Sequence, residues 1–424
     1  MSEAVLILAW VVAIASALPA AVFVIEVAAS MCGRGVALNG GSSPASPPGG
    51  GSPAALGEGA GGGHPRPRVA VLLPAHDEED GLAASLASFA PQLREGDRLL
   101  VVADNCSDAT ADVARRAGAE AVERRDPERR GKGYALDFGL RALADDPPAV
   151  VVVMDADCRA EPGAIDALAW AVSRYDRPAQ GVYVLTPPAA QDRASAGKSA
   201  VSVLAFLVKN LVRPLGLSRL GLPCLLTGTG MAFSWDALRG VDLASGEIVE
   251  DMALGLTLAR RGRPPRLCLS AVVKSSGASG DAAAAVQRRR WEHGHLATLL
   301  REAPRLAWAG VARGRPGLVG LAVELAVPPL SLLLILMIIA VGLGLVAGVT
   351  GQGGHGWGPM MLSGVAVGLV AVSVAAGWWR HGRSLVSGRS LLAAPAYVWW
   401  KIPIYLRFLG KRERAWIRTQ RNRP

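Results

Sequence analysis

The run VVVVMDADCR carries the strongest chemical signal in the chain, because an apolar strand delivers two carboxylates, Asp155 and Asp157, at its end. Residues i and i+2 of an extended segment point to one side, so both project where open α/β sheets bind ligands. That pattern suits a divalent ion bridging phosphates, although two caps of the turn after a strand would leave the same trace. Two earlier segments repeat it. RLLVVADNCSDAT ends in Asp104, Asn105, Ser107 and Asp108, which can read a nucleoside base and ribose, with Asp108 equally suited to cap the following helix. VAVLLPAHDEED ends in Pro74, His76, Asp77 and Glu78. Three strand ends thus deliver polar clusters to one sheet edge. Gly131, Lys132 and Gly133 add a cation and bendable backbone, fitting either a pyrophosphate or an ordinary helix-leading turn.

Downstream, SGEIVEDMALGLTLARRG sets Glu250 and Asp251 at the start of an amphipathic helix, as acid–base groups or as plain complements to the helix dipole. VQRRRWEHGH spaces Gln287, Arg290 and Trp291 as Q-x-x-R-W. Its arginine could fork onto a pyrophosphate beside an indole wall, or the stretch could sit at lipid headgroups, where Arg288 and Arg289 also fit. His293 and His295 lack a third nearby ligand and are read as structural. No Walker pattern and no G-x-G-x-x-G follows a strand, which argues against a P-loop NTPase or a dinucleotide enzyme.

The elements that must position these residues begin at Val69, where short apolar runs alternate with amphipathic stretches. Buried β-branched runs separated by helix-period segments predict βαβ units around a mainly parallel sheet, an α/β domain over 68–300. What flanks it is different. Residues 1–30 are almost uncharged from Ala4 to about Val27 and reach the roughly 20 residues of a bilayer-spanning helix. Without a basic segment before the apolar stretch, an uncleaved anchor is favoured over a signal peptide. Residues 31–67 are rich in Gly, Ser and Pro and read as a flexible linker. Over 301–380, an interfacial segment leads into a span from Gly317 to Val349, broken at Pro328 and Pro329, and another from Pro359 to Trp379.

Composition agrees, with 51% apolar and 19% charged residues in 424. The net charge of +10 concentrates in 381–424, which the positive-inside rule places in the cytoplasm together with the α/β domain. Trp399, Trp400, Tyr405 and Trp416, interleaved with Lys401, Arg407 and Lys411, suit an amphipathic interfacial helix on anionic membrane lipids. The basic charge is thereby explained without nucleic acid. Five scattered cysteines with no C-x-x-C pair argue against a disulfide framework.

The joint order P-A-H-D-E-E, D-N-C-S-D, G-K-G-Y-A-L, D-A-D, G-T-G, E-D and Q-R-R-R-W resembles membrane-bound family 2 glycosyltransferases, the inverting GT-A group that includes polysaccharide synthases and ceramide glucosyltransferases. The resemblance covers about 68–300. It implies sugar transfer from a nucleotide-diphosphate sugar, usually a UDP-sugar, with Mg2+ or Mn2+. It implies a donor site of Pro74, Asp77, Glu78, Asp104, Lys132 and Asp155, with Asp157 and Asp155 toward the metal. Asp251 would be the base on the acceptor hydroxyl with Glu250 beside it. Gln287, Arg290 and Trp291 would hold the pyrophosphate and shape the acceptor site, near Gly228, Thr229 and Gly230. Ala103, Asp77 and Cys106 depart from the usual Asp, Asn and Ser or Gly, which bears on the nucleobase more than on the reaction.

Three spans and an interfacial helix are few to enclose a polymer pore unless protomers associate. The expectation is therefore a multi-pass protein of the cytoplasmic membrane that adds a single sugar to a lipid-linked or saccharide acceptor in glycolipid or extracellular polysaccharide assembly. A processive synthase and a noncatalytic subunit of an export complex are the alternatives, and a nucleotidyltransferase would release pyrophosphate instead.

Overall fold

The computed structural model describes residues 2–33, 66–186, 193–244, 249–276, 281–350 and 357–410. Most of the expected linker, from 34 to 65, and the basic tail from 411, with Lys411 and Trp416, lie outside the described residues. The described residues form two units. One is α/β, from 66–186, 222–244, 249–276 and 281–291; the other is helical, from 2–33, 193–221, 292–350 and 357–410. The stretch expected as one continuous domain over 68–300 is therefore interrupted by 193–221, which groups with the helices.

In the α/β unit, strands β1 (Val69–Ala75), β2 (Arg98–Asp104), β3 (Glu120–Arg124), β4 (Val150–Val153), β5 (Cys158–Ala160), β6 (Ala179–Thr186), β7 (Met231–Ser234) and β8 (Arg266–Ser276) make one sheet in the order β3-β2-β1-β4-β7-β6-β8-β5. β7 runs against β4 and β6, and β5 runs against β8, while every other neighbouring pair is parallel. This is a mixed, mostly parallel GT-A-like sheet. β1, β2 and β4 are almost wholly buried, which is why their sequences are unbroken apolar runs and do not alternate. Leu72, Leu100, Val102, Val151 and Val153 pack with Leu136 and Leu143 of the helix Lys132–Leu143. That helix lies close because Gly139 faces Leu72, where any Cβ would overlap the leucine.

Register sets the site. Leu72 pairs with Leu100 on one side and with Val153 on the other, so β1, β2 and β4 run in one direction and carry Pro74–Glu78, Asp104–Asp108 and Asp155–Asp157 to one edge, although in this register β4 ends three residues before β1. Met231 of β7 lies opposite Val153, so the G-T-G loop before β7 meets the D-A-D run after β4.

The helical unit holds four helices long and apolar enough to cross a membrane: Glu3–Met31, Gly197–Arg219, Leu330–Thr350 and Trp357–Gly382. Three coincide with the expected spans. The proline break is real, separating the helix Pro316–Ala326 from Leu330–Thr350. Gly197–Arg219 was not anticipated, since Lys209 and Arg213 interrupt its apolar run. β4 and β6 precede this helix and β7 and β8 follow it, yet all four belong to one sheet. A sheet cannot lie on both sides of a bilayer, so Gly197–Arg219 does not cross it. Its burial agrees, at 78% of its apolar window against 22–28% for the other three. Arg213 on this helix forks onto Glu26 at 2.5 and 3.4 Å and donates to the Glu324 carbonyl at 3.0 Å. Those contacts satisfy a charge that would otherwise be costly to bury.

The helix Ala394–Gly410 forms where an interfacial helix was expected, but its residues divide differently. Trp399 and Arg407 are exposed, whereas Lys401 and Tyr405 are buried, with Lys401 ion-paired to Glu292. Lys401 is thus an internal cation and not a headgroup contact. His293 and His295 are buried, with ring nitrogens 2.8 and 3.2 Å from the carbonyls of Ile404 and Val327, in keeping with a structural reading.

Candidate active site

The loops after β1 and β2 are knitted together by their own polar groups. Asp77 and Asn105 sit at φ 51° and 54°, a left-handed backbone that Asp and Asn tolerate better than most residues. Asp77 accepts from the Ser107 amide at 2.6 Å, Glu78 donates its amide to Thr110 at 2.8 Å, and His76 lies 2.6 Å from the Asp104 carbonyl. Asp108 accepts from the Thr110 and Glu79 amides, so it is a cap and a tie between loops. The carboxylates of Asp77 and Asp108 lie near Cys106 in a cluster of metal-ligating types, but these amide bonds already use them structurally. Pro74 ends half-buried beside Val102.

Asp104 is 8% exposed, and its Oδ1 accepts from Arg124 at 2.6 Å and from Asn105 at 3.0 Å. Arg124 also reaches Asp126 at 3.1 Å and lies over the Tyr134 ring. Its role was hidden in the sequence, because ERRDPERRGK presents five cations with nothing to single it out.

Beyond β4 the carboxylates converge. Lys132 Nζ is ion-paired with Asp155 Oδ1 and also donates to the Gly228 carbonyl. Burial opposes its charge, but Asp155, then Glu250 and Asp251, outweigh burial and hold Lys132 protonated above the usual lysine range. Burial raises Asp155, with Asp157 adding to the rise and Lys132 opposing it. Asp157 receives weaker contacts, from Cys158 Sγ and Ser275 Oγ, both at 3.4 Å.

One ligand atom each from Asp155, Asp157 and Cys158 lie within 4.8 Å of one another. The Cys158 thiol is pushed well up by burial and by the two aspartates, and a soft sulfur is a poorer partner than a carboxylate for a hard cation. The remaining donors are two carboxylates, a hard oxygen set that fits Mg2+ or Mn2+ completing its shell with water and phosphate.

Glu250 and Asp251 begin the helix Glu250–Arg260 on the far side of the G-T-G loop. Gly228, at φ +92°, has its open Cβ position 3.4 Å from Asp251 Oδ2 and 3.8 Å from Lys132 Nζ, so a side chain there would crowd both the carboxylate and the ammonium. Thr229 is fully buried and accepts from the Asp155 amide at 3.0 Å; it supports the loop from behind, and Gly228 is the member of the three that faces the carboxylates. Burial, then Asp251, pushes Glu250 up to about 7.

Gln287, Arg290 and Trp291 share one face of the helix Asp281–Ala312 by their i, i+3, i+4 spacing. Arg290 lies in the field of Glu250, Asp155 and Asp251, lowered by burial but raised by each of these acids. Its Nε is buried with no hydrogen-bond partner, which leaves a donor available for an anion between these groups. Gln287 and Trp291 are half-buried. The structure thus brings Lys132, Asp155, Asp157, Gly228, Glu250, Asp251 and Arg290 together, with Asp77, Glu78 and Asp104 along the same sheet edge.

A mixed sheet with acidic and cationic groups at one edge defines a GT-A fold, and residues 65–294 match the family model "Glycosyltransferase like family 2". The chain belongs to that family. Over 89 residues it is 43% identical to an uncharacterized glycosyltransferase of Mycobacterium tuberculosis (strain H37Rv) and to one of Mycobacterium bovis. That match covers 21% of this chain and 36% of each relative, so the chain spans about a third of the length of these curated relatives. Among solved structures, a mannosyltransferase from Pyrobaculum calidifontis, in complex with GDP-Man and Mn2+, has a TM-score of 0.54 at 17% identity, covering 97% of this chain and 100% of its own. Glucosyl-3-phosphoglycerate synthase from Mycobacterium tuberculosis, in complex with Mn2+, UDP-Glc and phosphoglyceric acid, has a TM-score of 0.37 at 23% identity, covering 53% and 78%.

Proposed function

We propose that this chain transfers one sugar from a nucleoside diphosphate sugar, a UDP-sugar by preference, to a lipid-linked or membrane-proximal acceptor, with inversion at the anomeric carbon. The observation that carries the reading is that Asp251 Oδ2 and Lys132 Nζ both lie within 4 Å of the Cβ position that Gly228 leaves open, with Lys132 ion-paired to Asp155, so a carboxylate and a cation border one small space. Asp251 takes the proton of the acceptor hydroxyl as its oxygen attacks the anomeric carbon. The bond to the diphosphate breaks on the opposite side, where Lys132 and Arg290 meet the developing negative charge. Asp155 and Asp157 would hold Mg2+ or Mn2+, which when bound supplies Lewis-acid neutralisation of the leaving diphosphate. Asp104, steadied by Arg124, keeps Oδ2 for the nucleoside, with Pro74, Asp77 and Glu78 along the same edge. Gln287 and Trp291 complete the pyrophosphate and acceptor walls.

The helices long and apolar enough to span support a multi-pass cytoplasmic-membrane protein with its α/β unit in the cytoplasm and a role in glycolipid or extracellular polysaccharide assembly. The test is nucleoside diphosphate release by detergent-purified protein across a panel of nucleotide sugars, with Mg2+ or Mn2+ and a lipid extract. Lipid-dependent release from one donor is expected. Long polymer from donor alone would replace single addition by processive synthesis, and folded protein inert with every donor and extract would overturn the reading.

A further inference from the structure

One polar residue within the sheet is outside every role given so far. Gln180 lies on β6, is 2% exposed, and is the lone long polar side chain in the strand AQGVYVLT. Its Oε1 accepts from the Thr227 amide at 2.8 Å, while its Nε2 donates to the Thr229 carbonyl and to the Gly181 carbonyl, both at 2.9 Å. An amide N–H can only donate and a carbonyl can only accept, so these partners fix which way the Gln180 amide points. One side chain therefore grips the loop on both sides of Gly228. The neighbouring backbone adds a further tie, since the Gly181 amide donates to the Gly230 carbonyl at 2.7 Å. The β6–β8 ladder is irregular between Gly181 and Val182, the kind of bulge that re-aims side chains beside functional sites.

Three contacts of the loop reach groups of the proposed chemistry. The Gly228 carbonyl receives Lys132, the open side of Gly228 faces Asp251, and the Thr229 hydroxyl receives the Asp155 amide. We propose that Gln180 is a positioning residue for sugar transfer, acting through the Thr227–Thr229 backbone to set the acceptor-side opening between Asp251 and Lys132. The inference rests on the transferase reading and deepens it. Asp155 also follows β4 closely and is ion-paired with Lys132, so loss of the brace acts on the transfer step more than on donor and metal binding.

The test uses the full chain with its donor, Mn2+ and acceptor extract, comparing the protein with Gln180→Met and Gln180→Glu. Methionine keeps the length and lacks both hydrogen-bonding groups. For Q180M the expected result is cooperative melting, a donor Kd within about 2-fold of the unsubstituted protein, and a transfer kcat reduced by about 30-fold or more, since misplacement of a catalytic opening by an ångström costs rate on that scale. Q180E tests the brace itself. Its carboxyl supplies both an acceptor and a donor only while protonated, so its kcat relative to the unsubstituted protein rises as pH falls. Folded Q180M with an unchanged kcat overturns the proposal, as does a parallel loss of kcat and donor affinity, or a Q180E ratio indifferent to pH. No transfer by the unsubstituted protein would instead overturn the reading beneath it.

Discussion

Lys132 is ion-paired to Asp155, the first carboxylate of the D-A-D run, and its ammonium also holds the carbonyl of Gly228 across the site. One cation thus joins three elements: the start of a helix, the end of β4 and the loop before β7. Removing it leaves Asp155 uncompensated and releases the loop. Lys132→Met is expected to lower transfer by about 100-fold or more, the scale on which loss of a preorganised charge acts. Lys132→Arg should restore little, because a planar fork does not replace a point charge between two oxygens. Steady-state nucleoside diphosphate release with each variant measures this, and near-native rates for K132M would refute the assignment.

Asp157, after β4, and Asp251, at the start of the helix Glu250–Arg260, have different proposed roles and should fail differently. Asp157→Asn is expected to raise the Mn2+ concentration needed for half-maximal donor binding by about 10-fold or more, because a neutral amide is a poorer ligand for a hard cation. Asp251→Asn should leave donor affinity nearly intact and abolish transfer. Calorimetric titration with donor and metal, alongside single-turnover transfer, separates the two. Equal loss of binding in both would contradict the division of labour.

Glu250, pushed up to about 7 beside Asp251, makes the site pH-sensitive in a defined direction. As pH rises through about 7 Glu250 ionises, and the added charge makes Asp251 a stronger base, so kcat should rise, with the midpoint belonging to the pair. Stability runs the other way. Between the ordinary 4.5 and about 7, the folded protein keeps a proton that the unfolded chain has released, so stability falls as pH rises through that window. Glu250→Gln should flatten both profiles. A kcat limb near neutrality that persists in E250Q would place the titration elsewhere.

In the helical unit, Gly216 faces the backbone of Glu26 so closely that a Cβ would overlap its carbonyl. Gly216→Val should separate the helix Arg213–Arg219 from Ser2–Met31 and weaken the Arg213–Glu26 pair, costing about 1–3 kcal/mol as overpacking does. Thermal unfolding in detergent reads this directly. A variant that melts like the parent would show that the contact is not tight.

The non-crossing of Gly197–Arg219 has its own readout. Single cysteines placed at Ser199 and at Leu220, near its two ends, should react with a membrane-impermeant maleimide from the same side of the bilayer. Labelling from opposite sides would be incompatible with one sheet built from strands before and after it.

Much of this protein is readable without coordinates. The apolar runs of β1, β2 and β4, the D-A-D pair, the E-D pair and the Q-x-x-R-W spacing are local patterns, and local patterns are set by backbone period and burial. Three of the four long apolar helices are equally legible, because roughly 20 uncharged residues leave few alternatives. What only the tertiary structure decided involves partners distant in the chain. Arg124 is one cation among five until it meets Asp104, and Lys401 looks like a headgroup contact until Glu292 lies beside it. Thr229 turns inward, Gly228 takes the place facing the carboxylates, and Gln180 is an unremarked polar residue until β6 sets it beneath the loop. Gly197–Arg219 is long and apolar enough for a span despite Lys209 and Arg213, and the pairing of β4 with β7 across it shows that it does not cross. Composition and spacing determine what a segment can bury and which way its side chains alternate; which charge meets which, and on which side of a membrane, is settled by strand order and register.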